Sequence, residues 1–285
     1  LDSHWLPDER LSLLGSVVNP FRRPVVPSAL IAVGMDDQER PMTYAPAALP
    51  AGHLRPGEPV PFRADVPSAD DVSEWVIVGH AIPSTPGDGP AVALQGELSI
   101  RRDPQGQLFA VGRISNGSDA PQWAQVGALL SLREQWVSLG VFETPTVIPA
   151  GASLPFAIDI FPGAEEELAE HEADRGDLEV EPFLREAGTT AVVREIDAEV
   201  RRFEVIGSRL YLRGVARNPG TTAARACIVA AVLSDEGDLL TAGWTAPAET
   251  VPPGGEAPFM LVLPVPDGVN LSLAEFDVQA FGVSE

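Results

Sequence analysis

Three short stretches decide the fold of this chain: LLGSVVN (residues 13–19), VGRISN (111–116) and LRGVARN (212–218). Each is an apolar run of strand length in which a glycine precedes an asparagine by four residues. Asparagine followed by proline or glycine favours a turn, since asparagine tolerates left-handed backbone angles and glycine adopts positive φ at little cost. Each stretch is therefore predicted to be a β-strand that ends where the chain reverses.

A second signature follows each of these strands. It is a turn of proline and glycine that leads into Pro-Phe, at residues 56–62, 149–156 and 253–259. The turn glycine precedes the phenylalanine by five residues each time, and it lies 38, 35 and 36 residues after the asparagine in the three copies. Independent coincidences would not keep this spacing, so we interpret the two signatures as an internal repeat.

The distance between copies is that of a whole domain. Gly15, Gly112 and Gly214 are 97 and 102 residues apart, and one antiparallel sandwich takes roughly 100 residues. An apolar strand lies between the signatures in every copy, and alternating residues follow each Pro-Phe. We predict an all-β chain of three tandem Ig/fibronectin-like antiparallel β-sandwich domains, with boundaries at 1–85, 92–186 and 190–285.

Three irregularities interrupt the repeat. Only residues 1–10 precede the first Gly-x-x-x-Asn stretch, so the opening strand of the first domain is either short or lost with an upstream segment. Residues 83–90 are rich in proline and glycine and form the predicted connector between the first two domains. Residues 163–177 carry seven acidic residues against one arginine. We interpret this segment as an insertion in the second domain that forms a short exposed helix.

Charge excludes several classes of partner. The 285 residues contain 41 acidic and 19 basic residues, for a formal net charge of −22, and every basic residue is arginine. Nucleic acid and anionic membranes are poor partners for such a surface. Schiff-base chemistry and phosphate cradles that depend on lysine are excluded. Hydrophobic residues make up 45% of the chain, which predicts a folded protein.

The acidic insertion holds the candidate metal ligands, Glu170, Glu172, Asp174 and Asp177. Clustered carboxylates suit Ca²⁺, but the alternating acidic residues and central glycine of an EF-hand are absent. A solvated charge run is the other interpretation, and the more common one. The four histidines stand in separate contexts and predict no zinc site, and no nucleotide-binding or serine-hydrolase motif occurs. The sequence therefore predicts no cofactor and no catalytic residue.

Two tryptophans are candidates for ligand binding. Trp75 lies in a predicted strand and is expected to fill the core between sheets. Trp5 and Trp123 lie beside turns or proline, so exposed indole rings at these positions would offer a platform for carbohydrate or another small ligand.

Cysteine usage and the chain start bear on location. Cys227 is the single cysteine, so no disulfide forms within the chain, and its apolar surroundings predict a buried side chain. No apolar stretch is long enough to span a membrane. The chain starts at Leu1 and not at methionine, which we take as a sign of a processed or truncated product, with removal of a leader as one explanation.

The pattern resembles the FxLYD-type modules of bacterial extracytoplasmic proteins and lipoproteins. The third copy matches best, through residues 214–218, 233–237 and 251–259, although Leu233-Ser234 stands where an aromatic residue is usual. The resemblance implies a location outside the cytoplasm, secreted or at the cell surface, and a binding or spacer role.

These observations favour a non-enzymatic protein that acts as a spacer, a protein-interaction surface or the subunit of a filament-like surface assembly. Edge strands without guarding lysines predict a protein partner or self-association by strand pairing. The alternative is a module that binds carbohydrate or a small ligand through exposed tryptophans. A hydrolase with a dispersed site is a third hypothesis, and it requires a concave cluster of histidines and carboxylates.

Overall fold

Every element in the described part of the chain is a β-strand. The computed structural model describes residues 2–5, 10–49, 53–66, 71–84, 91–132, 135–143, 147–160, 178–189, 191–271 and 274–284. All strand pairs with a described register are antiparallel. The predicted all-β fold of antiparallel sheets is confirmed. Within these ranges there is no helix long and apolar enough to cross a membrane.

The first two sheets lie within residues 2–83. Sheet 1a has the order β1-β2-β5, with β1 (Asp2–Trp5), β2 (Leu11–Val18) and β5 (Pro59–Val66). Sheet 1b has the order β4-β3-β6, with β3 (Val25–Met35), β4 (Pro41–Pro46) and β6 (Glu74–Pro83). A core of Leu13, Ala64 and Val66 from sheet 1a packs on Ala32 and Ala45 from sheet 1b. A strand of four residues, β1, precedes the first Gly-x-x-x-Asn stretch.

Sheets 2a and 2b come from the middle of the chain. Sheet 2a has the order β12-β9-β7, and β8 also pairs with β9: β7 (Val92–Leu94), β8 (Ser99–Arg102), β9 (Leu108–Asn116) and β12 (Ser153–Asp159). Sheet 2b has the order β11-β10-β13: β10 (Gln122–Leu132), β11 (Gln135–Glu143) and β13 (Leu178–Gly188).

Sheets 3a and 3b come from the last third. Sheet 3a has the order β15-β16-β19: β15 (Asp197–Ile206), β16 (Arg209–Arg217) and β19 (Glu256–Pro264). Sheet 3b has the order β14-β20-β17-β18: β14 (Val192–Glu195), β17 (Arg225–Leu233), β18 (Leu239–Thr245) and β20 (Glu275–Ser284). Leu210, Leu212 and Leu261 of sheet 3a share a core with Ala230 and Val232 of sheet 3b. Cys227 is buried in β17.

The two sequence signatures meet across neighbouring strands. In each a-sheet the glycine of the first signature is the direct cross-strand partner of the phenylalanine of the second: Gly15 with Phe62, Gly112 with Phe156 and Gly214 with Phe259. The ring covers the place where a side chain would stand, because a Cβ on Gly112 would lie 2.8 Å from Cζ of Phe156. All three phenylalanines are buried. The repeated glycine therefore makes room for the repeated aromatic ring.

The repeated asparagines are buried and hold the chain through their side chains. Nδ2 of Asn218 donates to the carbonyl oxygens of Thr222 and Val251, at 2.8 and 2.9 Å, and its Oδ1 accepts from the Gly220 amide at 2.9 Å. The same three kinds of bond occur at the equivalent asparagines, Asn19 and Asn116. Each asparagine thus fixes its own turn and ties it to a segment more than 30 residues later.

The repeated asparagine has a different role from the one expected from the sequence. We expected left-handed backbone angles at these positions, but among the described residues Glu39 is the one non-glycine residue with positive φ. The turn glycines of the second signature do have positive φ, 74° at Gly57, 67° at Gly151 and 65° at Gly254. The asparagine therefore acts by hydrogen bonding, while glycine supplies the unusual backbone.

A proline lies in one edge strand of every a-sheet. Pro61, Pro155 and Pro258 each precede the signature phenylalanine, in β5, β12 and β19. A proline nitrogen carries no hydrogen and cannot donate to an incoming strand. These edges are therefore poor templates for further strand pairing.

By packing, the chain divides into two units. The first unit comprises residues 1–89, 125–141 and 160–186, and the second comprises 90–124, 142–159 and 187–285. The first unit holds sheets 1a and 1b with most of sheet 2b, and the second holds sheets 2a, 3a and 3b. The three a-sheets share one connectivity, in which the Gly-x-x-x-Asn strand is central. Three tandem sandwiches with boundaries at 1–85, 92–186 and 190–285 stay a prediction.

Candidate interaction surfaces

The outer face of sheet 1b is apolar because both faces of β3 carry apolar residues. Leu30 and Ala32 point inward and are buried. Successive side chains of a strand point to opposite faces, so Ile31 and Val33 point outward. Ile31 is 37% exposed. A strand with one solvated face normally places polar residues there, so this face is unusual.

Cross-strand neighbours extend the apolar surface over all three strands. Ile31 pairs with Pro46 of β4 and Val78 of β6, and Val33 pairs with Tyr44 and Val76. Tyr44 is 74% exposed and Val78 is 52% exposed. These six residues, with no charged side chain among them, are named face 1b. Contiguous exposed apolar patches of this kind are typical of interaction sites, so face 1b is a candidate for one.

The hairpin between β3 and β4 forms the acidic rim of face 1b. Asp36 is buried, and its carboxylate accepts hydrogen bonds from the amides of Gln38 and Arg40 and from Nε of Arg40. The Arg40 guanidinium, helped by these amides, lowers the pKa of Asp36 below its usual value of 3.8. The exposed Asp37 and Glu39 follow on the same hairpin. Asp36 is therefore harder to protonate in the folded protein than an ordinary aspartate.

Asp36→Asn should lower the stability of the fold near neutral pH but not in acid. Because the pKa of Asp36 is lowered in the folded protein, its charge stabilises the fold fully above its usual value of 3.8, and that contribution is lost as the pH falls through the folded value. The variant should therefore unfold at lower urea than the wild type near neutral pH, and the gap should close under acid. Asp37→Asn, in the exposed part of the hairpin, is the control. A gap that does not change with pH would contradict this assignment.

A second exposed face belongs to sheet 3a. In β19, Phe259, Leu261 and Leu263 point inward, whereas Met260 and Val262 point outward and are 50% and 40% exposed. In β16, Tyr211 and Val215 share that outward side, since Leu210 and Leu212 are buried on the other. These four residues form the apolar part of what we name face 3a.

Arginines surround the apolar part of face 3a. Arg209, Arg213 and Arg217 alternate along β16, and Arg202 is the cross-strand partner of Arg213. Glu204 pairs with Arg202 at 3.0 Å and with Arg213 at 2.9 Å. A hydrogen bond and ion pair between Arg217 and Glu256 raises the pKa of Arg217 and lowers that of Glu256. Asp197, Glu199, Glu204 and Glu256 lie on the same side, so the arginines of this face are matched by carboxylates.

The structure describes only some of the residues selected from the sequence. Glu170, Glu172, Asp174 and Asp177 lie outside the described residues, together with the predicted helix at 163–177. Across the described part of the chain, no group of three or more histidine, cysteine, aspartate or glutamate side chains is placed to hold a metal ion.

The tryptophans behave differently from one another. Trp75 packs on the core of sheets 1a and 1b, as expected. Trp5 is the last residue of β1 in the first unit, and Trp123 is half-buried in the part of β10 that belongs to the second unit. Trp244, at the edge strand β18, is 41% exposed and was not selected from the sequence.

Two serine–histidine contacts in the first unit were also missed. The Ser28 hydroxyl bonds Nδ1 of His80 on exposed parts of β3 and β6, and the Ser84 hydroxyl bonds Nδ1 of His53 at 2.8 Å. Each of these two hydrogen bonds joins segments that are far apart in sequence, so no local sequence motif predicts it. A serine–histidine pair becomes nucleophilic only with an orienting group and an oxyanion site.

Comparison with known proteins gives little. No family model matches the sequence, and no curated protein matches it. One similar solved structure is the crystal structure of red sea bream transglutaminase, with 17% sequence identity and a TM-score of 0.23. The alignment covers 66% of this chain but only 29% of that chain.

This comparison corrects the prediction that the protein is not an enzyme. The matched structure is that of an enzyme, so a non-enzymatic assignment is contradicted and we withdraw it. At this TM-score the likeness does not assign an enzymatic activity to the chain either. The resemblance to FxLYD-type modules stays a prediction.

Proposed function

We propose that this protein is an extracytoplasmic array of three tandem β-sandwich modules that serves as a protein-interaction surface or as the subunit of a surface assembly. The observation that carries this proposal is face 1b. It presents six uncharged residues on three neighbouring strands, and Tyr44 is 74% exposed. An apolar patch of this extent on a strongly acidic protein is costly to leave in water, and a protein partner would cover it.

The faces support this role better than the edge strands do. Pairing at the β5, β12 and β19 edges is opposed by the prolines in these strands. Self-association through edge strands and a protein partner stay predictions, and we place the contact on a sheet face. An acidic, lysine-free surface opposes contact with nucleic acid or an anionic membrane.

A photo-crosslinking experiment tests this proposal. The photoreactive residue benzoylphenylalanine replaces Tyr44 in the full chain, which is then irradiated in the cells that make it. We expect a covalent adduct with another protein chain, because Tyr44 is a highly exposed residue of face 1b. The control carries the same residue at Phe21, which is 54% exposed in the loop between β2 and β3. Equal adduct formation at both positions, or none at Tyr44, would refute the role of face 1b.

Binding of carbohydrate or a small ligand through Trp5 and Trp123 stays the untested alternative. It predicts that sugars quench the fluorescence of the purified protein and that Trp123→Phe removes part of the quenching. A titration without any change would remove this alternative.

A further inference from the structure

In each packing unit, an a-sheet and a b-sheet from different copies of the repeat pack against each other through their outer faces. This contact is separate from the core between the a-sheet and b-sheet of one copy. In the first unit, Leu14 of sheet 1a forms a buried cluster with Leu129 and Leu139 of sheet 2b. Leu14 neighbours Gly15, which faces Phe62, so Leu14 lies on the opposite face of sheet 1a. The outer face of sheet 1a is therefore covered by a b-sheet.

The second unit repeats this arrangement. Strands β9 and β12 of sheet 2a contact β17 and β18 of sheet 3b. Val111, next to Gly112 and on the opposite face of β9, is buried, and so is Phe109. Arg113, on the same side, forms a salt bridge of 3.7 Å with Asp277 of sheet 3b. An outer a-sheet face is again covered by a b-sheet.

One face of each type is left over. Face 1b is the outer face of a b-sheet, and face 3a is the outer face of an a-sheet. In sheet 3b the positions on β17 that match the outward residues of β3 are buried, as Val229 and Ala231 show. In sheet 1b the corresponding Ile31 is exposed. Within the chain, the outer face of an a-sheet packs on a b-sheet twice. Face 3a and face 1b are one exposed face of each type, so they could form the same contact between two copies.

We infer that face 3a of one copy of this chain docks on face 1b of a second copy, so that copies join head to tail. This inference rests on the proposed function and names the partner. In the docked pair, Met260, Val262 and Tyr211 cover Ile31, Tyr44 and Val78. The contact extends the internal stacking of a-sheets on b-sheets from one copy to the next.

Charge disfavours a symmetric contact between two 1b faces. Two copies with a net charge of −22 repel each other, and face 1b has the acidic rim of Asp37 and Glu39. Face 3a carries four arginines matched by four carboxylates, so it has no excess of acidic charge to repel that rim. Two 1b faces would bring acidic rims together, and two 3a faces would not repeat the internal stacking of an a-sheet on a b-sheet. A head-to-tail contact is heterologous, so it continues into an open chain or closes into a ring.

The test uses the purified full chain and two double variants. Tyr44→Arg with Val78→Arg blocks face 1b, and Met260→Glu with Val262→Glu blocks face 3a. Phe21→Arg and Val192→Glu, at exposed apolar residues outside both faces, are the controls. Masses are measured by analytical ultracentrifugation over a concentration series. We expect the wild type and both controls to form oligomers that grow with concentration, and each double variant alone to associate roughly tenfold more weakly or not at all.

Mixing the two double variants gives the decisive result. Each retains the face that the other lacks, so the mixture should form a one-to-one dimer that grows no further, and its formation also shows that both variants are folded. A double variant that still dimerises by itself would point to a symmetric contact and overturn the inference. A wild type that stays monomeric at its highest soluble concentration would also overturn it. A Tyr44 adduct with a different protein would then leave the proposed function standing.

Discussion

Replacing Asn218 with alanine is expected to lower the free energy of unfolding of its unit by about 2–3 kcal/mol. The side chain is fully buried and makes three hydrogen bonds with Thr222, Val251 and Gly220. Alanine removes all three and leaves a cavity beside buried polar backbone. Asn218→Asp should be worse, because a carboxylate would face two carbonyl oxygens without a donor.

Thermal and urea unfolding of the full chain would measure this effect. Thr221→Ala, at an exposed residue of the same turn, is the control and should change stability by less than about 0.5 kcal/mol. Alanine at Asn19 or Asn116 should act in the same direction, since each makes the same kinds of bond. If Asn218→Ala left the free energy of unfolding unchanged, the hydrogen bonds of the repeated asparagine would not stabilise the fold as proposed.

Gly214→Ala is the second substitution with a large expected effect, about 3 kcal/mol or more. A Cβ at this position would lie 2.2 Å from the carbonyl oxygen of Glu199 and 2.6 Å from Cζ of Phe259. The oxygen belongs to the backbone of the neighbouring strand and cannot turn aside. The added methyl group must therefore push β15 and β16 apart.

Gly112→Ala is the matched comparison and should cost less, about 1–2 kcal/mol. Its Cβ would meet two side chains, Cδ2 of Leu98 at 2.5 Å and Cζ of Phe156 at 2.8 Å, and side chains can adopt other rotamers. Adding Phe156→Leu should recover part of the lost stability in the Gly112 variant. Phe259→Leu should recover little in the Gly214 variant, where the backbone clash remains. Equal costs at the two glycines, or equal recovery, would contradict this explanation.

Local sequence patterns were sufficient for the strands and their turns. The strands that hold the three Gly-x-x-x-Asn stretches and the turn at Gly57, with its positive φ, follow from short-range preferences. The pairing of Gly112 with Phe156 did not follow, although both residues had been singled out. Cross-strand register joins residues about 40 positions apart, and it is set by the tertiary fold and not by local preference.

The candidate interaction surface, face 1b, was not predicted from the sequence for a related reason. Residues 28–33 and 226–233 are both continuous apolar runs, and such runs are typical of strands buried on both faces. Strand β17 is buried in this way, whereas β3 leaves Ile31 exposed. Which faces are covered depends on what packs above the sheet, and the composition of one strand does not contain that information. From the sequence we therefore predicted contacts through tryptophans and edge strands, whereas face 1b is the outer face of a sheet.

The prolines before each signature phenylalanine have a consequence for how a newly made chain folds. Repeats with such similar strands risk exchanging partners during synthesis, since the Phe strand of one copy resembles those of the others. Pro61, Pro155 and Pro258 each remove one backbone donor from these strands, on the side away from the glycine-bearing strand. Once such a strand has paired with the glycine-bearing strand of its own copy, its other edge lacks a continuous row of hydrogen-bond donors. Pairing with a strand from another copy or another chain is then disfavoured, and so are domain-swapped and amyloid-like products.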